Sequence, residues 1–317
     1  MSHTPVAFLF PGQGSQAAGM GKDLAALYPV ARQTFQEADD ALGFSISQLC
    51  FEGPEEQLKL TENTQPAILT MSTAVCRVLQ EMGIVPQFAA GHSLGEYSAH
   101  VAAGTIAFTD AVRTVRNRGR YMQEAVPAGQ GGMAAILGMQ LEPLQQACND
   151  AAEGQVVSPA NINSPDQIAI SGHQSAVERA AELAKERGAK KAVMLVVSAP
   201  FHCALMQPAQ DRLEHDLQAL HFNNPEVPVI SNIDATPKTT AEGSRQALVR
   251  QVTGAVQWAK SMQTLIGLGV KTFIEVGPGK VLTGLMRQID RSQSCFNTEN
   301  EAAVQKVSNL FAAAAKE

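Results

Sequence analysis

No two of the five cysteines stand at C-x-x-C spacing: Cys50, Cys76, Cys148, Cys203 and Cys295 are scattered and odd in number. A disulfide framework or a structural zinc site is therefore not expected, and a reducing compartment is. Positive charge is short as well, with 24 Lys and Arg against 30 Asp and Glu and a formal net charge of -6. A nucleic-acid surface needs the opposite balance. A partner that is itself acidic would need a local basic patch. No apolar run approaches the roughly 20 residues that a membrane span requires. Met1 to Pro5 carries no charged n-region, and Val6–Phe10 is far too short to span a bilayer. Internal repeats and low-complexity linkers are lacking too. What remains is an ordinary globular composition, 45% hydrophobic and 17% charged, over 317 residues. That length allows one large core or two domains. The expectation is a cytoplasmic protein that binds neither membrane nor nucleic acid.

One stretch organises the rest. Phe88-Ala89-Ala90 is apolar, Gly91-His92-Ser93-Leu94-Gly95 is a Gly-x-Ser-x-Gly turn, and a helical pattern follows through Leu94, Tyr97, Ser98, Val101 and Ala102. This is the pattern of a nucleophile elbow, in which a sharp strand-to-helix turn presents a serine hydroxyl at a helix N-terminus. The two glycines permit backbone that side chains would block. The helix dipole and free N–H groups then face any developing negative charge. An ordinary tight turn would share the five-residue pattern but not its strand and helix.

Before the elbow, Val6–Phe10 reads as a buried strand feeding the loop Pro11-Gly12-Gln13-Gly14-Ser15. Gly12-x-Gly14-x-x-Ala17 also fits a dinucleotide fingerprint. That fingerprint needs a helix directly after the loop and an acidic residue ending a second strand, whereas Glu37 falls inside the helical segment Tyr28–Leu42. Nucleotide binding is therefore set aside. Gln65-Pro66 is expected to open a helix running to Gly83, and Ile84–Ala90 to form the strand into the elbow. After Gly104 and Asp110 a helix runs to about Ala125. On it Ala111, Val115, Arg118 and Met122 form one stripe, while Arg113, Arg116 and Arg120 lie on another face and read as solvated. Arg118 is a lone cation on an apolar stripe and must be paired if buried. Its partner is either a distant carboxylate or one that arrives with a substrate.

From Gly131 to Val197 the order is βαββαβ, the ferredoxin-like unit. Its pieces are Met133–Leu137, Leu141–Ala152, Gln155–Asn161, Gln167–Ser171, Ala176–Arg187 and Ala192–Val197. The block reads as an insertion or lid on a larger α/β domain. Directly after it, Ser198-Ala199-Pro200-Phe201-His202-Cys203 returns the chain with a histidine placed to face the cleft. His215 and His221 lie in a polar helical region, His173 on the inserted block, and His92 points away from the serine; His100 is the other candidate. Beyond lie a strand at Val227–Ile230 with Asn232-Ile233-Asp234 as its exit, and a helical span from Arg245 to Leu268 carrying Gln251 and Trp258. A strand at Thr272–Val276 follows, with Glu275 in a structural role, then a helix from Val281 to Ile289 and an alanine-rich helical tail.

A serine elbow needs a base. Asp150 and Asp166 lie in the inserted block, and after His202 only Asp234 sits in a strand-end loop. The sequence thus offers a Ser93–His202 pair more readily than a triad, with a neutral acceptor on the second histidine nitrogen. The chemistry it suggests is acyl transfer through an acyl-serine, with the backbone N–H groups of Gln13 and Leu94 as oxyanion donors.

Phe10-Pro11-Gly12-Gln13-Gly14-Ser15-Gln16, Gly91-His92-Ser93-Leu94-Gly95-Glu96, Arg116-Asn117-Arg118-Gly119 and Gly277-Pro278-Gly279 together resemble the malonyl-CoA:acyl carrier protein transacylases, over essentially the whole chain. The resemblance implies an α/β fold, with an α/β-hydrolase-like catalytic domain at 1–128 and 198–317 and a ferredoxin-like subdomain inserted at 129–197. It implies transfer of malonyl from malonyl-CoA to the phosphopantetheine thiol of holo acyl carrier protein, for fatty acid biosynthesis. No cofactor is implied, because the CoA thioester is a substrate and the partner carries the phosphopantetheine. By the same resemblance Ser93 is the nucleophile, His202 the base, Arg118 the grip on the malonyl carboxylate, and Gln13 and Leu94 the oxyanion hole. Gln251 supports the histidine, Gln65, Asn163 and Gln167 line the cleft, and His92 is a further supporting residue. Two positions depart from the pattern. Ala255 replaces a common proline, and Phe201 precedes the base where stand-alone bacterial enzymes often carry serine. The bulk of Phe201 favours malonyl over methylmalonyl, one methyl being worth about 1–3 kcal/mol. A monomer is expected. Lys190, Lys191, Lys280 and Arg287 are candidate contacts for an acidic carrier. A polyketide acyltransferase, a serine thioester hydrolase and a non-catalytic docking module are the alternatives.

Overall fold

A computed structural model describes residues 5–314. Its strands are β1 (Val6–Phe10), β2 (Phe88–Gly91), β3 (Gly131–Leu137), β4 (Val157–Ser164), β5 (Gln167–His173), β6 (Lys191–Met194), β7 (Val229–Ile230), β8 (Pro237–Lys238), β9 (Thr272–Glu275) and β10 (Ser294–Asn297). They form two sheets. The larger has the order β10-β9-β1-β2-β7-β8, parallel throughout except for β8. A parallel sheet covered by helices on both faces demands apolar residues at every position. β1 meets that demand with Val-Ala-Phe-Leu-Phe, all buried. Phe8 and Phe10 pack into one core cluster, and Ala7 and Leu9 into another.

The smaller sheet is antiparallel, in the order β4-β5-β3-β6, with helices Leu141–Ala151 and Gln174–Glu186 on one face. This is the ferredoxin-like order expected for a βαββαβ segment. Strand alternation divides its side chains. Ala134, Ile136, Ile168 and Ile170 face the two helices, whereas Met133, Ala160 and Ala169 face Phe201 and Val197. The second face is the one turned toward the elbow. Backbone bonds from Ile162 N to Val256 O (2.9 Å) and from Val256 N to Ala160 O (2.8 Å) tie this sheet to the rest of the chain.

Several elements differ from the sequence reading, each for a local reason. The helix expected to open at Gln65-Pro66 starts at Thr61 and holds Pro66 in its interior. Leu60 O accepts from both Asn63 N and Thr64 N at 2.8 Å, which closes the first turn ahead of the proline. The ring removes only the bond to the carbonyl of Glu62, in that first turn and half-buried. The strand into the elbow is shorter than expected because Pro86 has no N–H to give. Beside it the Gln87 side chain accepts from Val6 N at 2.7 Å. The single helical span expected from Arg245 to Leu268 is two helices, Ala241–Gln251 and Trp258–Gly267, with a break between them. β10 was not legible, since Ser-Cys-Phe-Asn is short and only half apolar.

Glu275 ends β9 and is fully buried. Its carboxylate accepts from Leu282 N (2.9 Å), Thr283 N (2.7 Å) and Thr283 Oγ1 (2.7 Å), so it caps the helix Val281–Ile289 in place of a side chain from that helix's own start. Removing it strands three buried donors. Glu275→Ala is expected to cost about 2–4 kcal/mol, read as a lower denaturant midpoint at unchanged slope. An unmoved midpoint would show that the cap is dispensable.

Candidate active site

The carboxyl ends of β1, β2, β7 and β9 meet at one edge of the large sheet, where open α/β folds bind ligands. Three glycines let the backbones there pack in contact. A Cβ on Gly91 would lie 1.9 Å from Gly95 C and O, one on Gly95 would lie 2.0 Å from Phe10 O, and one on Gly12 would lie 2.4 Å from His92 O. Ser93 is forced to φ 51° in the middle of this crossing. A non-glycine residue held there stores strain of the kind that clusters at functional sites. His202 is held in the same region, at φ 60°.

The two strained residues face each other. Ser93 Oγ lies 2.7 Å from His202 Nε2. His202 Nδ1 lies 2.9 Å from Gln251 O and 3.2 Å from Gly254 O. Carbonyls can only accept, so Nδ1 carries the proton and Nε2 is the free base. The first carbonyl ends the helix Ala241–Gln251 and the second lies in the break after it, where helical bonding lapses. Among the described residues no acid completes a triad: Asp234, the one carboxylate the sequence offered after the histidine, pairs with Lys238 at 2.7 Å. Burial, and then the Arg118 cation, push His202 down to about 3, so the ring is neutral over the physiological range.

Arg118 is 1% exposed, on the helix Phe108–Glu124. It reaches the elbow because the neighbouring residue is glycine: a Cβ on Gly119 would lie 2.6 Å from Thr61 O, where this helix crosses the helix Thr61–Glu81. Its Nη1 donates to Gln65 Oε1 (2.8 Å), and Nη2 donates to Gln251 Oε1 (3.0 Å) and Ser93 Oγ (3.1 Å). The Tyr97 ring lies 5.6 Å from the guanidinium carbon. Nε has no partner, and no carboxylate forms an ion pair with this cation among the described residues. The distant structural carboxylate that the sequence left open is therefore not what holds it. Two amides, one hydroxyl and a ring face do. Arg113 and Arg120 are exposed as expected, whereas Arg116 is half-buried and stacks 4.0 Å from the Phe44 ring centroid.

A cavity of about 200 Å³ opens over Ser93. Gln13, Gln65, His92, Leu94, Arg118, Asn163, Phe201 and His202 all line it. Gln13 Nε2 bonds Thr61 Oγ1 at 3.3 Å, and His92 Nε2 bonds Asn163 Oδ1 at 2.8 Å rather than the serine. The N–H groups of Gln13 and Leu94 have no acceptor among the described residues. Gln167 is not brought to the cavity. It starts β5 opposite Ser164, and Ala169, two residues further along the same face, takes the lining position. Residues missed by the sequence reading are Asn161, which lines the cavity, and Asn232 and Glu96 beneath it. Asn232 Oδ1 accepts from Ser93 N (2.7 Å) and Asn232 Nδ2 donates to Gly91 O (2.6 Å). Its place just past β7, next to β2, was the one signal available.

Residues 7–309 match the acyl transferase domain family. The chain is 54% identical over 287 residues to the malonyl CoA-acyl carrier protein transacylase of Escherichia coli strain K12, covering 90% of this chain and 93% of that protein. It is 53% identical over 287 residues to the protein of the same name from Bacillus subtilis strain 168, covering 90% of each. An acyl carrier protein S-malonyltransferase from Vibrio cholerae O1 superposes with a TM-score of 0.94 at 49% identity, over 96% of this chain and 99% of that one. A malonyl-transacylase solved in complex with a type II PKS acyl-carrier protein gives 0.94 at 47% identity, over 96% and 99%.

Proposed function

The chain belongs to the acyl transferase family, and on that premise we propose that it carries malonyl from malonyl-CoA to the thiol of acyl carrier protein through a malonyl-Ser93 ester, in fatty acid biosynthesis. The observation that carries the substrate is the 3.1 Å contact between Arg118 Nη2 and Ser93 Oγ. A cation that close to the nucleophile suits an acyl chain whose own carboxylate lies one methylene from the reacting carbonyl.

Ser93 Oγ–H gives its proton to His202 Nε2 as the oxygen attacks the thioester carbonyl. The oxyanion that forms is held by the N–H groups of Gln13 and Leu94, and the helix that starts at Leu94 adds its dipole. Collapse breaks the carbon–sulfur bond, and the imidazolium returns the proton to the CoA sulfur. The carrier thiol then enters, gives its proton to His202 and attacks the ester, and Ser93 recovers its proton as it leaves. Gln251 O and Gly254 O stabilise the imidazolium in both halves. Phe201, half-buried beside the base, narrows the cavity against a 2-methyl substituent.

The same reading makes 129–197 an inserted subdomain that walls the cleft, with 1–128 and 198–317 as the catalytic domain. It also has a cytoplasmic monomer act without a bound cofactor. No described helix is long and apolar enough to cross a membrane. Lys190, Lys191, Lys280 and Arg287 are exposed and are the proposed contacts for an acidic carrier.

Incubation with malonyl-CoA is expected to add one malonyl group to the intact mass, and Ser93→Ala to abolish the addition. Holo carrier protein should discharge the adduct while buffer alone does not. No adduct on the wild type, or one that persists in Ser93→Ala, would overturn the assignment. Discharge equally fast in buffer would make the protein a hydrolase.

A further inference from the structure

Glu96 is a carboxyl side chain at 0% exposure, in the first turn of the helix behind the nucleophile, and the transfer steps do not use it. Its Oε2 accepts from Gln251 Nε2 at 2.7 Å and from Asn232 N at 3.1 Å, while Oε1 has no partner among the described residues. Burying a carboxylate for two bonds and an orphaned oxygen is costly. Gln251 suggests what the cost secures. Its two N–H groups are spent on Glu96 Oε2 and on Ser93 O (2.9 Å), which leaves Oε1 toward Arg118 and the backbone carbonyl toward His202. A flipped amide would set its oxygen against the Glu96 carboxylate and the Ser93 carbonyl, two acceptors, and would present N–H groups to a guanidinium. Asn232, held at its own N–H by Glu96, in turn accepts from Ser93 N.

We propose that Glu96 is a positioning residue for the transfer reaction: its carboxylate locks the Gln251 amide so that one side chain aims the Arg118 cation and supports the His202 base together. The inference rests on the malonyl-transfer reading above. Glu96 does not touch substrate. It acts through Gln251 on the cation and base, and through Asn232 on the nucleophile. Arg118 and Asp234 are the charged groups whose fields reach it.

The test compares the full-length protein with Glu96→Gln and Glu96→Asp. Glutamine keeps an acceptor oxygen at the same reach. Aspartate keeps the carboxyl group but withdraws it by one bond length from Gln251. Aspartate is expected to lower kcat/KM for malonyl transfer on the order of a hundredfold, as small misplacements of catalytic groups do. It should also narrow the preference for malonyl-CoA over acetyl-CoA, which a purely structural role would leave alone. Glutamine is expected to restore both to within a few-fold. An unchanged acyl preference in Glu96→Asp, or a loss in Glu96→Gln as large as in Glu96→Asp, would overturn the proposal. Should Glu96→Asp not fold, Gln251→Met and Glu96→Ala, alone and combined, decide it: purely additive losses mean that Glu96 does not act through Gln251. The malonyl-serine adduct on the wild type is read separately, so failure of the parent reading is not mistaken for failure of this one.

Discussion

His202→Asn is expected to slow malonyl transfer roughly 10³–10⁴-fold, the upper part of the range for a general base paired with a serine nucleophile. Asparagine is the informative substitution because it tolerates the left-handed backbone that residue 202 adopts at φ 60°, so the loss reports chemistry and not misfolding. The base has no carboxylate behind it; two carbonyls hold its second nitrogen. A carboxylate would raise the ring's proton affinity, whereas burial and the Arg118 cation lower it. The active form is the neutral ring. Lowering its pKa keeps that form present as pH falls, so the acid limb of kcat/KM should lie well below 6.5 for the wild type. Arg118→Ala removes the second largest of the lowering causes, and the limb should then move to higher pH. Steady-state rates from pH 4 to 8 with an acetyl donor, which does not need the cation, check this. A wild-type limb at or above 6.5, or one that Arg118→Ala leaves in place, would contradict the electrostatic account.

Much of this site was legible because its parts are local. A Gly-x-Ser-x-Gly turn between an apolar run and a helical stripe needs only neighbours to be recognised, and the βαββαβ block declares itself by alternating periods. The glycines showed where backbone would cross, though not which backbones: Gly95 against Phe10 and Gly119 against Thr61 join segments far apart in sequence. What stayed hidden depends on partners across the fold. Arg118 looked unpaired because an unpaired charge suggests a missing carboxylate, whereas here neutral amides from Gln65 and Gln251 hold it. Glu96 looked like part of a motif and Asn232 like a turn residue, since neither shows from sequence what it touches. The break after Gln251 was overlooked because Thr253-Gly254 does little to disturb a helical period. The end of that helix and the break beyond it supply the two carbonyls on which His202 rests. Gln167 failed in the opposite way: a polar residue on the correct face, two positions too near the hairpin end.

Arg118→Ala is expected to lower malonyl transfer by about 10²–10⁴-fold while changing acetyl transfer far less. The magnitude follows from the bonds at stake. A carboxylate facing the guanidinium gains up to two charge-assisted hydrogen bonds of about 1.5–3 kcal/mol each, and every 1.4 kcal/mol is roughly tenfold in rate. The free enzyme keeps that capacity in reserve, because the groups bonded to the cation are neutral and its Nε has no partner among the described residues. Desolvation of the cation was largely met when the chain folded, so little of that cost falls on binding. An acetyl group has no charge to offer and should not register the loss. The alternative, that Arg118 exists to hold the helix Phe108–Glu124 against the elbow, predicts a different result. Both acyl groups would then slow equally, and thermal stability would fall. Removing a buried cation that has no ion-pair partner among the described residues should instead leave the melting midpoint close to the wild-type value, since the stranded Gln65 and Gln251 oxygens offset the desolvation relieved. Paired kcat/KM values for malonyl-CoA and acetyl-CoA, with a melt of the same preparation, separate the two. Equal losses would mean that the cation is structural, and that the acid-bearing substrate is selected elsewhere.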